Sequence, residues 1–205
     1  MSTSVNVAVI YYSATGTLAT MARALADDAE TAGATVRLRR VAELAPRTAI
    51  EQNPAWVANI EATAGIAEAT PDDVRWADAV IFGSPTRFGN VAAQLKQFLD
   101  TLGGLWQEGA LADKVYSGFT ASATPHGGQE TTLVALYNSV HHFGGIIVAP
   151  GYTDASKFVD GNPYGTSHIA GQGDLPVNEQ TLTAARVQAE RVVKFTRAIK
   201  TGLAG

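Results

Sequence analysis

The run "ADAVIFGSPTRFGNVAAQLKQFLD", residues 77–100, decides the fold class. Its first part, Ala79–Gly83, is continuously apolar; its middle is crowded with Pro85, Gly89 and Asn90; and Val91, Leu95, Phe98 and then Leu102 return at helical spacing. That order reads as strand, turn and helix. A strand with no polar alternation is covered on both faces, which places it in a parallel sheet between two helix layers. The turn also sets Arg87 beside Phe88. A loop that only reverses the chain rarely needs a guanidinium and an aromatic together, so the run suggests a surface that grips something flat and partly anionic. The plainer reading makes Asn90 the N-cap of the next helix and puts Phe88 in the core.

Working outward, four more runs qualify as strands: "VNVAVIYY" (5–12), "TVRLRR" (35–40), "KVYSGFTAS" (114–122) and "GIIVAPG" (145–151). The second is the expected edge strand, because Arg37, Arg39 and Arg40 would be costly in the sheet centre. Apolar stripes at Leu18, Met21, Ala22, Leu25 and Ala29, at Leu133, Leu136, Tyr137 and Val140, and at Leu182, Ala185, Ala189, Val192 and Ile199 mark helices between and after them, with Gly33 stopping the first. Five strands alternating with about five helices predict a doubly wound α/β fold. The 205 residues suit a single domain spanning 1–205, with segments near 42–73 and 152–180 longer than simple crossovers require. In the first of these, Trp56, Val57 and Ile60 read as either an interface patch or core.

With 46% hydrophobic and 17% charged residues the chain is globular rather than disordered, and its formal net charge of −4 lacks the footprint of a nucleic-acid or anionic-membrane binder. Cys is absent, so thiolate chemistry is excluded and redox chemistry would belong to a bound cofactor. The start, "MSTSVNVAVIYYS", has no basic region ahead of a long apolar one, and no run reaches the roughly 20 apolar residues of a membrane span. A cytoplasmic protein with no membrane insertion is expected.

Ligands of such sheets bind beyond the carboxyl ends of the strands. The first end reads "YYSATGTLATMARAL", in which Ser13, Thr15 and Thr17 surround Gly16 just before a helix. Hydroxyls and the unpaired N–H groups of a helix start favour a phosphate. The spacing matches neither GxxxxGK[ST] nor GxGxxG, which disfavours an NTPase loop or a dinucleotide fingerprint. A strand-to-helix turn with a Ser or Thr N-cap is the competing reading. The fourth end, "TASATPHGGQETT", supplies Ser122, Thr124, Gly127 and Gly128, though Pro125 could begin a helix behind a Thr124 cap. His141 and His142 belong to no metal-spaced cluster, and no Ser/His/Asp order is present.

Together, "YYSATGTLATMA", "GSPTRFGNVAAQLKQFLD", "GGLWQEGAL", "FTASATPHGGQET", "HHFGGIIV" and "NPYG" resemble the WrbA-type NAD(P)H:quinone oxidoreductases of the flavodoxin-like superfamily. The resemblance implies sheet order 2-1-3-4-5, FMN as cofactor, NADH or NADPH as reductant, and ping-pong two-electron reduction of quinones. It also implies a homotetramer whose neighbouring subunits help wall each flavin pocket. By motif, Ser13, Thr15, Gly16, Thr17 and Leu18 would hold the phosphate. Pro85, Thr86, Arg87, Phe88, Gly89 and Asn90, with Ala121, Ser122, Ala123, Thr124, Gly127 and Gly128, would line the isoalloxazine. His142, the residue directly before "FGG", is the flavin-contacting candidate and a catalytic donor, while Trp106 and Phe88 would box the nicotinamide or quinone. Thr17-Leu18 stands where many members of that family carry His-Ile. The rival readings are a flavodoxin-like carrier of single electrons and a structural or regulatory flavoprotein without significant turnover.

Overall fold

The computed structural model describes residues 4–203; Met1–Thr3, where the reading of the chain start begins, and residues 204–205 lie outside it. In chain order the elements are β1 (Val5–Tyr11), α1 (Thr17–Thr31), β2 (Ala34–Arg40), α2 (Arg47–Ile50), α3 (Pro54–Ala62), α4 (Pro71–Trp76) and β3 (Ala79–Pro85). They continue with α5 (Ala93–Asp100), α6 (Gly103–Gln107), β4 (Val115–Ser122), α7 (Gln129–Phe143), β5 (Ile146–Ile147), α8 (Ala155–Asp160), β6 (Thr166–Ile169) and α9 (Glu179–Leu203).

The sheet is parallel in the order β2-β1-β3-β4-β5, with β6 also on β4. Alternation along the strands builds two cores. Val5, Val7, Val9 and Ile81 face α1 and α9, while Ala8, Ile10, Val80 and Phe82 face α5 and α7. The apolar runs predicted a doubly wound α/β fold, and the strand order is the flavodoxin-like one that the resemblance implied. Among the described residues, no helix is long and apolar enough to cross a membrane.

The fifth strand departs from expectation. Of the run 145–151 only Ile146–Ile147 pairs, against Val115 and Tyr116, and Thr166–Ile169 pairs with Phe119–Ser122 further along the same strand. Because β3 occupies the other edge of β4, β5 and β6 are two halves of one split strand, with residues 148–165 inserted between them. The 152–180 segment, expected to be a long connection, therefore contains a strand. Thr166, Ser167 and His168 are buried but polar, so no apolar run announces them. Gln188 of α9 accepts from Thr166 N–H at 2.7 Å and donates to Gly118 O at 2.7 Å, fastening the returning half to the sheet.

At the opposite edge, the arginines of β2 lie where predicted, and their partners come from the 42–73 segment. Arg37 and Arg39 converge on Asp73 at 3.2 and 2.9 Å, and Arg37 stacks on Trp76 at 4.1 Å. Asp73 also closes a capping box with Thr70 at the start of α4. Burial alone would raise its carboxyl, but the Thr70 amide and hydroxyl and the Arg39 guanidinium outweigh it and hold the pKa below the ordinary 3.8. A depressed folded-state pKa gives stability that is complete above the unfolded value and lost as pH falls through the folded one. Asp73→Asn is therefore expected to cost about 2 kcal/mol at neutral pH, with the gap to the parent protein closing below about pH 4. Chemical denaturation at both ends of that range checks it; a gap independent of pH would sink the assignment.

Candidate active site

Beyond the carboxyl ends of β1, β3 and β4 the chain forms a cleft of about 290 Å³. One wall is the turn into α1. Gly16 occupies the N-cap in the left-handed region at φ 103, and no side chain caps the helix. The Ser or Thr cap is thus corrected: a glycine takes the position because a side chain at that φ would be strained. Ser13 Oγ accepts from Gly16 N–H at 3.1 Å and tightens the turn. Among the described residues, no acceptor faces the N–H groups of Ala14, Thr15, Thr17 and Leu18, nor do the hydroxyls of Thr15 and Thr17 have a partner. Ser13, Thr15, Thr17 and Leu18 all line the cleft.

The second wall is the opening motif. Arg87 and Asn90 exchange backbone hydrogen bonds at 2.8 and 3.0 Å across Phe88 and Gly89, which take φ 54 and 78. Two consecutive positive φ values make this a tight two-residue turn of the primed type. Phe88 stands at its tip, fully exposed, so the core reading of this residue is corrected. The cap reading of Asn90 is corrected too: α5 starts at Ala93 behind Ala92, whose N–H donates to Ser84 Oγ at 2.8 Å. Pro85, Thr86 and Arg87 line the cleft.

The third wall is Ala121, Ser122 and Ala123. Ser122 is committed to structure, donating to Thr124 O at 2.7 Å and accepting from the buried Gln129 amide at 2.8 Å. Helix α7 begins behind Gly128 at φ 92, not behind Thr124, and a Cβ on Gly128 would meet Gly89 Cα at 3.0 Å. Gly89 and Gly128 thus lock the second and third walls together, while Gly127 packs against Ser122 and Thr124 within the third wall. Thr86 joins them, accepting from Gly89 N–H at 3.2 Å and from the Thr132 hydroxyl at 2.9 Å.

Motif reading missed the fourth wall, Ala170–Gly173, which follows β6. Ala170 N–H donates to Ser122 O at 2.8 Å and places it. Its signal in the sequence was the Gly-rich composition of a segment leaving the fifth strand.

Trp106 and His142 lie elsewhere in the chain. The Trp106 indole donates to His142 O at 2.9 Å, so the two are neighbours, and both are exposed. They sit where α7 has returned to the amino edge of the sheet, next to Gly144, whose carbonyl accepts from Asp113 N–H. His142 lies fourteen positions beyond Gly128 along α7, about 20 Å at the α-helical rise. One chain alone therefore brings neither side chain to its own cleft.

The donor set fits FMN: unpaired amides and hydroxyls for a phosphate at a helix start, and a slot between backbone walls for a flat ring. Residues 5–159 match the NADPH-dependent FMN reductase family. A curated NAD(P)H dehydrogenase (quinone) of Deinococcus radiodurans is 46% identical, covering 96% of this chain and 98% of its own. One of the same description from Azorhizobium caulinodans is 45% identical over 92% of this chain and 95% of its own. Among solved structures, a WrbA-like flavodoxin from Agrobacterium tumefaciens superposes with TM-score 0.67 at 26% identity, covering 95% of this chain and 98% of that one. The chain belongs to the NADPH-dependent FMN reductase family, as one of its WrbA-type flavodoxin-like oxidoreductases.

Proposed function

We propose that the chain is an FMN-dependent NAD(P)H:quinone oxidoreductase, one flavin-binding domain working in the cytoplasm as a homotetramer. The observation that carries the cofactor is the uncapped start of α1, where Thr15, Thr17 and Leu18 line the cleft and the amides of Thr17 and Leu18 and the hydroxyls of Thr15 and Thr17 have no partner among the described residues. When bound, FMN supplies the two-electron chemistry between nicotinamide and quinone. The chain holds the phosphate by amides and hydroxyls and slots the ring between Pro85–Arg87 and Ala121–Ala123. The Arg87 guanidinium, exposed beside the slot, favours negative charge on the ring edge.

The substrate box needs more than one chain. Phe88 projects from its turn fully exposed, and Trp106 with His142 forms a second exposed aromatic patch at the amino edge of the sheet. A homotetramer that sets the Trp106 and His142 patch of one copy against the Phe88 turn of another supplies the stacking surface and the imidazole donor. This is how the two halves of the expected box meet.

The test is the visible spectrum of purified protein reconstituted with FMN, then mixed without oxygen with NADH or NADPH. Prompt bleaching, with recovery on adding a quinone, is the expected result. Bound flavin that does not bleach would favour the electron-carrier or structural alternatives, and no flavin binding would overturn the reading.

A further inference from the structure

The long segment between β2 and β3 carries α3 over the back of the turn into α1. Asn53 caps α3, accepting from the amides of Ala55 and Trp56 at 3.1 and 3.4 Å. Trp56 is tied to Glu43 at 3.0 Å, and Arg23 of α1 donates to Ala62 O at 3.2 Å, so the helix is held at both ends. Between these anchors lies Asn59, buried to 8% exposure, whose Nδ2 donates to Ser13 O at 2.7 Å. Its Oδ1 lies 3.7 Å from where a Cβ of Gly16 would stand.

This single bond has a directional consequence. The Ser13–Ala14 peptide is trans, so its carbonyl and its N–H point in opposite directions. Holding Ser13 O against α3 aims Ala14 N–H the other way, and Ala14 lines the cleft with no acceptor among the described residues. Without Asn59 that peptide could rotate and present its carbonyl lone pairs to the anion instead of its donor.

We propose that Asn59 is a positioning residue for the cofactor phosphate, acting through the orientation of the Ser13–Ala14 peptide; the inference rests on the FMN reading of the cleft. It gives the extra length of the 42–73 segment a role in affinity for the phosphate, and none in recognition of the ring.

The experiment compares dissociation constants of FMN and of riboflavin, which lacks the phosphate, for parent, Asn59→Ala and Asn59→Leu proteins, followed by flavin fluorescence. Loss of a charge-assisted amide bond is expected to weaken FMN about 10- to 100-fold while riboflavin binding is unchanged, so the preference for FMN collapses. Asn59→Leu, close to isosteric, uncharged and unable to donate to Ser13 O, is expected to behave alike, and it carries the test if the alanine variant does not fold. An unchanged preference, or an equal loss for both ligands, overturns the proposal, the second because it signals general loosening. A parent protein that binds FMN no better than riboflavin overturns the phosphate reading of the cleft itself, and this inference with it.

Discussion

Replacing Asp160 by asparagine is expected to lower stability by about 3–5 kcal/mol, the usual cost of stranding one member of a buried ion pair. The side chains of Lys157 and Asp160 form a salt bridge at 0% and 1% exposure. Burial pushes the Lys157 amine down and the Asp160 carboxyl up, each opposed by the charge of the other, so the charged state of the pair depends on both members being present. Asp160 also accepts from Ser167 N–H at 3.2 Å, and Lys157 donates to Gly165 O at 3.3 Å. The pair therefore staples the inserted segment to β6, the returning half of the split strand. At roughly 2–4 °C per kcal/mol for a chain of this size, Tm should fall by about 6–20 °C. A double variant, Lys157→Met with Asp160→Leu, should recover much of the loss, because no charge is left buried. Equal Tm for Asp160→Asn and the parent would mean that the segment is held by other contacts.

The same segment explains where sequence reasoning stopped. Strands β1 and β3 were legible because sheets covered on both faces leave continuous apolar runs, and the position of β2 was legible from three arginines. Strand β6 was not, since its buried residues are polar and are held through hydrogen bonds: the Thr166 backbone N–H to Gln188, and the His168 ring to Thr181 and Leu175 O. A pattern of hydrophobicity carries no record of such partners. Site motifs were readable as strand ends, yet the roles within them shifted. Gly89 and Gly128 turned out to join two walls to one another, whereas Ala14 and Gln129, inside the motifs but given no role there, and Asn59 and Ala170–Gly173, outside them, place the cleft. Which capping residue a helix uses was decided by backbone conformation, left-handed Gly16 and Gly128, rather than by the nearest hydroxyl or amide.

Trp106→Ala is expected to reduce kcat/KM for quinone about 10- to 100-fold while FMN affinity stays at the parent value. Stacking of a flat ring on an aromatic side chain is worth roughly 1–3 kcal/mol by truncation. Trp106 is 58% exposed in the isolated chain and makes its one polar bond to a backbone carbonyl, so its removal should leave the fold intact. Phe88→Ala should have an effect of the same kind, since Phe88 is held in a left-handed conformation at φ 54 with no contact to reward it in one chain. If both rings stack on one ligand, the double variant will lose less than the sum of the two singles. Because the two aromatics come from different copies in the proposed tetramer, turnover per chain should also fall on dilution into the range where the assembly dissociates. Flavin lost together with the Trp106 side chain would place this residue in cofactor binding instead. Turnover unaffected by either substitution would remove the shared aromatic box and leave the cleft of a single chain to account for substrate handling.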